Sequence, residues 1–238
     1  MAPVLRAEKC NKLLSKVSQS IPAEGRDILE ISLSRTRFAA GERVFDEDRI
    51  LFIEKGIASP MVLTSDGAPL GVGIIGSEGA VGLAGIDNGD YGFQVRALTA
   101  VEAFQINARA LSLACSRSRE LEILLKDYSQ ALLGDSILTL LCHYHHDLRE
   151  RLPRWLLVAT ARLGANRLPL TQEILAETLG VTQGAISMGL ETLRSKGLVE
   201  STRKEIIILN RRKLRSTACR CYLAVDREKK YLVNYRTL

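Results

Sequence analysis

Leu168-Pro-Leu-Thr-Gln-Glu-Ile-Leu-Ala-Glu-Thr-Leu-Gly-Val-Thr-Gln-Gly-Ala-Ile-Ser-Met-Gly-Leu-Glu-Thr-Leu-Arg-Ser-Lys-Gly-Leu-Val199 reads as two short helices joined by a tight turn. That arrangement seats one helix in the DNA major groove. Thr171 is placed to cap a first helix whose Ile174, Leu175 and Leu179 share one face. Gly180-Val181 makes the turn, because glycine takes positive φ without the steric penalty other residues meet. Thr182 caps a second helix, about 182–195, that turns Ile186, Leu190 and Leu193 inward, and Gly197 stops it. Leu198 to Ser201 and Glu205 to Leu209 then read as two strands around a basic tip, Thr202-Arg203-Lys204. The segment is a helix-turn-helix with a wing.

Charge agrees with that reading once it is divided along the 238 residues. Residues 1–108 carry 11 Lys/Arg against 14 Asp/Glu, residues 109–146 carry 4 against 4, and residues 147–238 carry 18 against 9. The net +6 therefore comes from the part of the chain that holds the helix-turn-helix, as a phosphate-facing surface requires. No run approaches the roughly 20 apolar residues that span a bilayer, and Met1 to Lys9 lacks the apolar core of a signal peptide. Five cysteines without framework spacing suit a reducing compartment, so a cytoplasmic protein with no membrane partner is expected.

Upstream the pattern changes twice. From about 28 to 107 short apolar runs alternate with turn signals: Arg43-Val-Phe45, Ile50-Leu-Phe-Ile53, Met61-Val-Leu63, Leu70 to Ile75, Phe93-Gln-Val95 and Val101 to Ile106. Ser65-Asp-Gly67 and Asp87-Asn-Gly89 punctuate them, which predicts an all-β sandwich or jelly roll, preceded by a helix over 4–21. From about 108 to 146 the spacing becomes helical. Leu121, Leu125, Tyr128 and Leu132 recur as a stripe, and a helix that long with an apolar stripe predicts a dimer interface through those residues. Leu148 to Leu163 reads as a further helix. The expected fold is α+β: an N-terminal β-sandwich or jelly-roll domain over 1–115, a dimerisation helix over 116–147 and a winged helix-turn-helix over 148–238.

This order resembles the Crp/Fnr transcription regulators. The resemblance is most specific at Leu168–Val199, at Arg154-Trp-Leu-Leu157 and at Gly76-Ser-Glu-Gly-Ala-Val-Gly82. It implies homodimers on two-fold symmetric double-stranded DNA, an effector signal passed from the sandwich through the long helix, and RNA polymerase as a further partner. In well-known members an Arg, a Glu and a second Arg stand at the positions of Gln183, Gly184 and Met188. This chain keeps none of them. Gln183, Gly184, Ser187 and Met188 are the candidate base-reading positions: Gln183 can pair bidentately with adenine, and Met188 can pack on a thymine methyl. Thr171, Gln172, Thr182, Arg194, Lys196, Arg203 and Lys204 are the candidate phosphate contacts, which fix position and bring salt dependence. Glycines at 184 and 189 each cost the helix roughly 1 kcal/mol relative to alanine.

In the cyclic-nucleotide-binding members a Glu holds the ribose and an Arg the phosphate. The matching positions here are Gly82 and the neighbourhood of Tyr91, so cyclic nucleotide binding is not expected, and the effector is an unidentified small molecule. The iron–sulfur members carry clustered N-terminal cysteines, whereas only Cys10 lies in that region here. Gly71-Val-Gly73-Ile-Ile-Gly76 fits the dinucleotide fingerprint in spacing but lacks its helix and βαβ surroundings. Cys142, His143 and His146 lie at helical spacings that could chelate a metal, but the reading preferred is a polar helix end with no metal. Cys219 and Cys221 could sense oxidation or simply pack. No catalytic constellation appears, so neither an enzyme nor a cofactor is expected. The alternatives are a cyclic-nucleotide-responsive, redox-responsive or metal-responsive regulator of the same fold, and a ligand-binding module whose helix-turn-helix is degenerate.

Overall fold

The computed structural model describes residues 11–20, 31–44, 48–65, 67–83 and 93–224. Cys10, Asp87-Asn-Gly89, Tyr91 and the final basic residues lie outside them. Helix α1 (Lys12–Ser20) leads into seven short strands: β1 (Ser34–Phe38), β2 (Arg49–Lys55), β3 (Ala58–Leu63), β4 (Pro69–Gly71), β5 (Ala80–Val81), β6 (Phe93–Ala97) and β7 (Val101–Asn107). They form two antiparallel sheets, ordered β1-β7-β2-β5 and β4-β3-β6. The apolar run on β2 serves two cores at once, because strand side chains alternate faces. Ile50 and Phe52 pack with α1 and the following helices, whereas Leu51 and Ile53 fill the interior between the sheets. Asn11 fastens α1 to the roll: its side-chain amide donates to Ile53 O and Gly79 O at 2.6 and 2.7 Å, and its Oδ1 caps Leu14 N.

Beyond the strands come α2 (Ala108–Arg117), α3 (Arg119–His145) and α4 (Leu148–Leu163). The helical pattern of 108–146 is broken at Ser118, whose extended backbone ends α2 and whose hydroxyl accepts from Leu121 N to start α3. At 27 residues α3 is about 40 Å long. Asp147 caps α4 through Glu150 N, and Gly164 closes it in the left-handed region.

The stripe predicted for dimerisation faces the other way. Leu121, Leu125 and Tyr128 are buried against their own sandwich, and Leu132 is half-buried beside it. Tyr128 Oη accepts from Ala80 N at 2.9 Å and donates to Ala80 O at 3.1 Å. The same seven-residue rhythm continues through Asp135, Thr139 and Cys142, all buried. Periodicity located an apolar face correctly but could not say which of two faces the sandwich covers. A second heptad, Ile123, Leu133, Ile137, Leu140 and Tyr144, is left exposed.

The C-terminal unit comprises β8 (Arg167–Leu168), α5 (Gln172–Leu179), α6 (Gln183–Ser195), β9 (Val199–Ser201), β10 (Ile206–Ile208) and α7 (Arg211–Thr217). The wing sheet runs β8-β10-β9, one strand more than the sequence suggested, since two residues are too short to leave a pattern. Its core joins Trp155, Leu156, Ile174, Leu175, Ile186, Leu190, Leu198, Ile206 and Leu214, and extends without a break to Ile57, Ile74 and Leu98 of the sandwich.

Candidate nucleic-acid interface

Both helices of the motif are capped as their sequences require. Thr171 Oγ1 accepts from Ile174 N at 3.3 Å, and Thr182 Oγ1 accepts from Ala185 N at 3.2 Å. Gly180 closes α5 at φ +62°, and its N–H bonds back to Glu177 O. Helix α6 buries Ile186, Leu190 and Leu193. That rotation leaves Gln183, Gly184, Ser187 and Met188 on the opposite, exposed face. Met188 is 70 % exposed, although a thioether of that size contributes more when covered.

Around this face Thr182, Arg194, Lys196, Arg203 and Lys204 are exposed, and Thr171 and Gln172 are half-buried at the start of α5. Arg194 pairs with Glu191 at 2.6 Å, an exposed contact that a phosphate can displace. At the wing tip Thr202 Oγ1 accepts from Lys204 N and Glu205 N, and Arg167 holds Glu205 at 2.7 Å at the base. Arg211 is withdrawn from the basic surface: its guanidinium donates to Thr160 Oγ1 and Leu157 O and fastens α7 to α4. Among the described residues this unit presents the exposed face of α6 within a charged rim.

The sandwich meets this unit through three joints that sequence reasoning missed. Arg162 of α4 is 4 % exposed, and its guanidinium reaches Glu78 Oε1 at 2.8 Å and Asp135 Oδ2 at 3.5 Å. Burial alone would lower its pKa, but the two carboxylates outweigh that and hold it above the ordinary arginine value. Arg96 of β6 donates to Gly41 O and pairs with Glu177 on α5. The third joint is a close approach. A Cβ on Gly71 would lie 2.6 Å from Thr178 Cγ2, and one on Gly76 would lie 2.7 Å from Arg162 O. Two glycines of the apparent dinucleotide fingerprint, Gly71 and Gly76, are thus small because the C-terminal unit lies against them, whereas a Cβ on Gly73 would meet Asp135 and Ser136 of α3 at an ordinary 3.8 Å.

Between the sandwich and α3 lies a cavity of about 540 Å³, lined by Pro60, Val62, Val72, Val81, Val95 and Leu132 with Ser129 and Ser136. None of its described lining residues is charged. Gly82 is on its wall, and Arg96 on the nearby strand β6 is committed to Gly41 and Glu177.

The histidines are not gathered as a metal site. His143 donates through Nε2 to Gly71 O at 3.3 Å while its Nδ1 faces the Arg151 guanidinium. Burial and Arg151 hold its pKa down to about 4, so the ring is neutral. His146 Nδ1 contacts Glu150 instead, at 3.1 Å. Cys142 turns toward Cys219 and Cys221, and because Cys142 and Cys219 are 77 residues apart no local spacing reveals the cluster.

Residues 150–217 match the family model of the Crp-like helix-turn-helix domain. No curated protein matches the chain significantly. Among solved structures, one described as a transcriptional regulator of the Crp/Fnr family from Eubacterium rectale superposes with a TM-score of 0.69 at 17 % identity, covering 84 % of this chain and 96 % of that one. FixK2 from Bradyrhizobium japonicum gives 0.68 at 17 % identity over 79 % and 98 % of the two chains. The c-di-GMP-responsive global regulator CLP from Xanthomonas campestris gives 0.62 at 18 % identity over 79 % and 99 %. No helix among the described residues is long and apolar enough to cross a membrane. Over residues 150–217 the chain matches the Crp-like helix-turn-helix domain, and as a whole it shares the fold of solved structures described as Crp/Fnr-family regulators.

Proposed function

We propose that the chain is a non-enzymatic, cytoplasmic transcription regulator that binds two-fold symmetric DNA as a homodimer, with α6 of each protomer in a major groove. The observation that carries this reading is the division of α6. One face is sealed by Ile186, Leu190 and Leu193, and the other presents Gln183, Ser187 and Met188 within a rim of Arg194, Lys196, Arg203 and Lys204. Gln183 reads adenine, Met188 packs on a thymine methyl, and Gly184 lets the helix backbone approach the base edges. The basic residues, with Thr171, Gln172 and Thr182, supply phosphate contacts.

Dimerisation is supported by α3, which has apolar residues on two faces although the sandwich covers only one. An apolar stripe along a helix faces a partner. Ile123, Leu133, Ile137, Leu140 and Tyr144 keep coiled-coil spacing, so the second copy of α3 is the natural cover. The cavity beside it, uncharged among its described lining residues, suits an apolar effector better than a cyclic nucleotide, whose buried phosphate needs a cation or a nest of N–H donors.

Selection of binding sites from randomised duplex DNA with the purified protein tests the reading. A two-fold symmetric motif with A·T pairs facing α6 is expected. Salt-sensitive binding with no motif, in protein that sediments as a dimer and has been offered small apolar ligands, would overturn specific readout.

A further inference from the structure

The end of α3 and the segment after α7 bring together three cysteines that lie far apart in sequence. The Sγ atoms of Cys142, Cys219 and Cys221 all fall within 4.8 Å of one another, and Cys142 Sγ lies 3.5 Å from Cys219 Sγ. Cys142 and Cys219 are buried, whereas Cys221 is half-buried and leaves one side open to solvent. Backbone contacts hold the arrangement: Cys219 N donates to Glu150 O at the start of α4, and Tyr222 N donates back to Cys219 O. An ion about 2.3 Å from each sulfur sets the sulfurs roughly 3.8–4.0 Å apart, close to the spacing already present.

The charge nearby is of the right sign. Arg154 is 5 % exposed, and its positive charge bears on all three sulfurs. It donates to Thr139 Oγ1, its Nε has no hydrogen-bond partner, and no carboxylate pairs with it among the described residues. A buried guanidinium without a counter-charge is costly, and an anionic cluster beside it would supply that charge.

We propose that Cys142, Cys219 and Cys221 form a three-thiolate site for a thiophilic divalent metal ion at the joint between the long helix and the C-terminal segment. Three Cys–SH groups and one divalent ion give a complex of net charge −1 and release three protons to solvent, and Arg154 balances the remaining charge. A fourth position, on the Cys221 side, is left for water. The histidines take no part, since His143 and His146 are engaged elsewhere. Bound there, the ion ties the segment following the DNA-binding unit to the last turn of α3, one turn before the hinge at His146 and Asp147.

The test titrates Cd(II) into the reduced, untagged full-length protein and follows the thiolate-to-metal ultraviolet band, with Zn(II) added afterwards as competitor. The band should saturate at one Cd(II) per protomer and be displaced by Zn(II). Cys221→Ser, the variant that leaves the buried pair untouched, should weaken binding by at least the roughly 10–100-fold that loss of an outer-shell partner costs. Cys142→Ser and Cys219→Ser should do the same, and Cys10→Ser combined with Cys115→Ser should leave the titration unchanged. A band that does not saturate, or one whose Cd(II) affinity is unchanged in Cys221→Ser, overturns the proposal. So does a protein whose only thiol response is a Cys142–Cys219 disulfide under mild oxidant. The titration contains no DNA, so its result stands apart from that of the site selection.

Discussion

Arg162 and Glu78 are 84 residues apart and form a buried ion pair of 2.8 Å that joins the first helix of the DNA-binding unit to the loop before β5. Glu78 Oε1 also accepts from Gly76 N at 3.0 Å, and Asp135 of α3 approaches the same guanidinium. One arginine thus connects the sandwich, the long helix and the DNA-binding unit. A displacement of any one of the three must break or carry along a fully desolvated charge.

Arg162→Met should therefore destabilise the protein by about 3–5 kcal/mol, because it strands two carboxylates where water does not reach. Glu78→Gln should cost less, since the amide oxygen still accepts from the guanidinium and Asp135 still balances its charge. Urea denaturation of both variants measures the difference. Equal losses would mean that the joint depends on packing rather than on charge.

Much of the fold was legible because it rests on local chemistry. The caps at Thr171 and Thr182, the turn at Gly180 and the inward residues of α6 follow from residue type and spacing alone. The bounds of α4 follow in the same way from Asp147 and Gly164. What stayed hidden depends on partners distant in the chain. Arg162 is buried because Glu78 and Asp135 receive its charge, and those partners lie 84 and 27 residues away in the chain. Gly71 and Gly76 are small because of Thr178 and Arg162, and no window of sequence contains both sides of those contacts. Spacing marked the Leu121–Leu132 stripe on α3, but only the position of the sandwich decides which face of the helix is covered and which remains free.

Ile137→Glu and Leu140→Glu test that decision. Both residues are more than two-fifths exposed in the protomer, so a carboxylate there should leave the monomer folded. In a dimer built on this face the same charge is buried and unpaired. Sedimentation should show monomers, with DNA affinity for a symmetric site falling by about 10²-fold or more as the second half-site ceases to be linked. Dimers that persist in both variants would remove α3 as the interface.

The two glycines of α6 should behave differently, although helix propensity treats them alike. A Cβ at Gly184 meets only Thr182 Oγ1 at 4.0 Å, so Gly184→Ala should stabilise the helix by up to about 1 kcal/mol. A Cβ at Gly189 would come within 2.8 Å of Leu152 Cδ2 in the buried core, so Gly189→Ala should yield no gain. Thermal midpoints of the two variants separate the cases. Gly184→Ala should also place a methyl group at the base-facing surface and weaken DNA binding while it stabilises the fold.

Base reading and phosphate anchoring should separate in the same way between α6 and the wing. Gln183→Ala removes the one side chain on α6 able to pair bidentately with adenine. It should cost about 1–3 kcal/mol on the selected site and much less on a site changed at that base pair. Lys204→Ala at the exposed wing tip should weaken binding about equally on both sites and reduce the slope of log K against log salt by about 1. Fluorescence anisotropy at several salt concentrations gives both quantities from one set of titrations. If Gln183→Ala weakened all sequences equally, Gln183 would be an anchor, and the base reading would rest on Ser187 and Met188 alone.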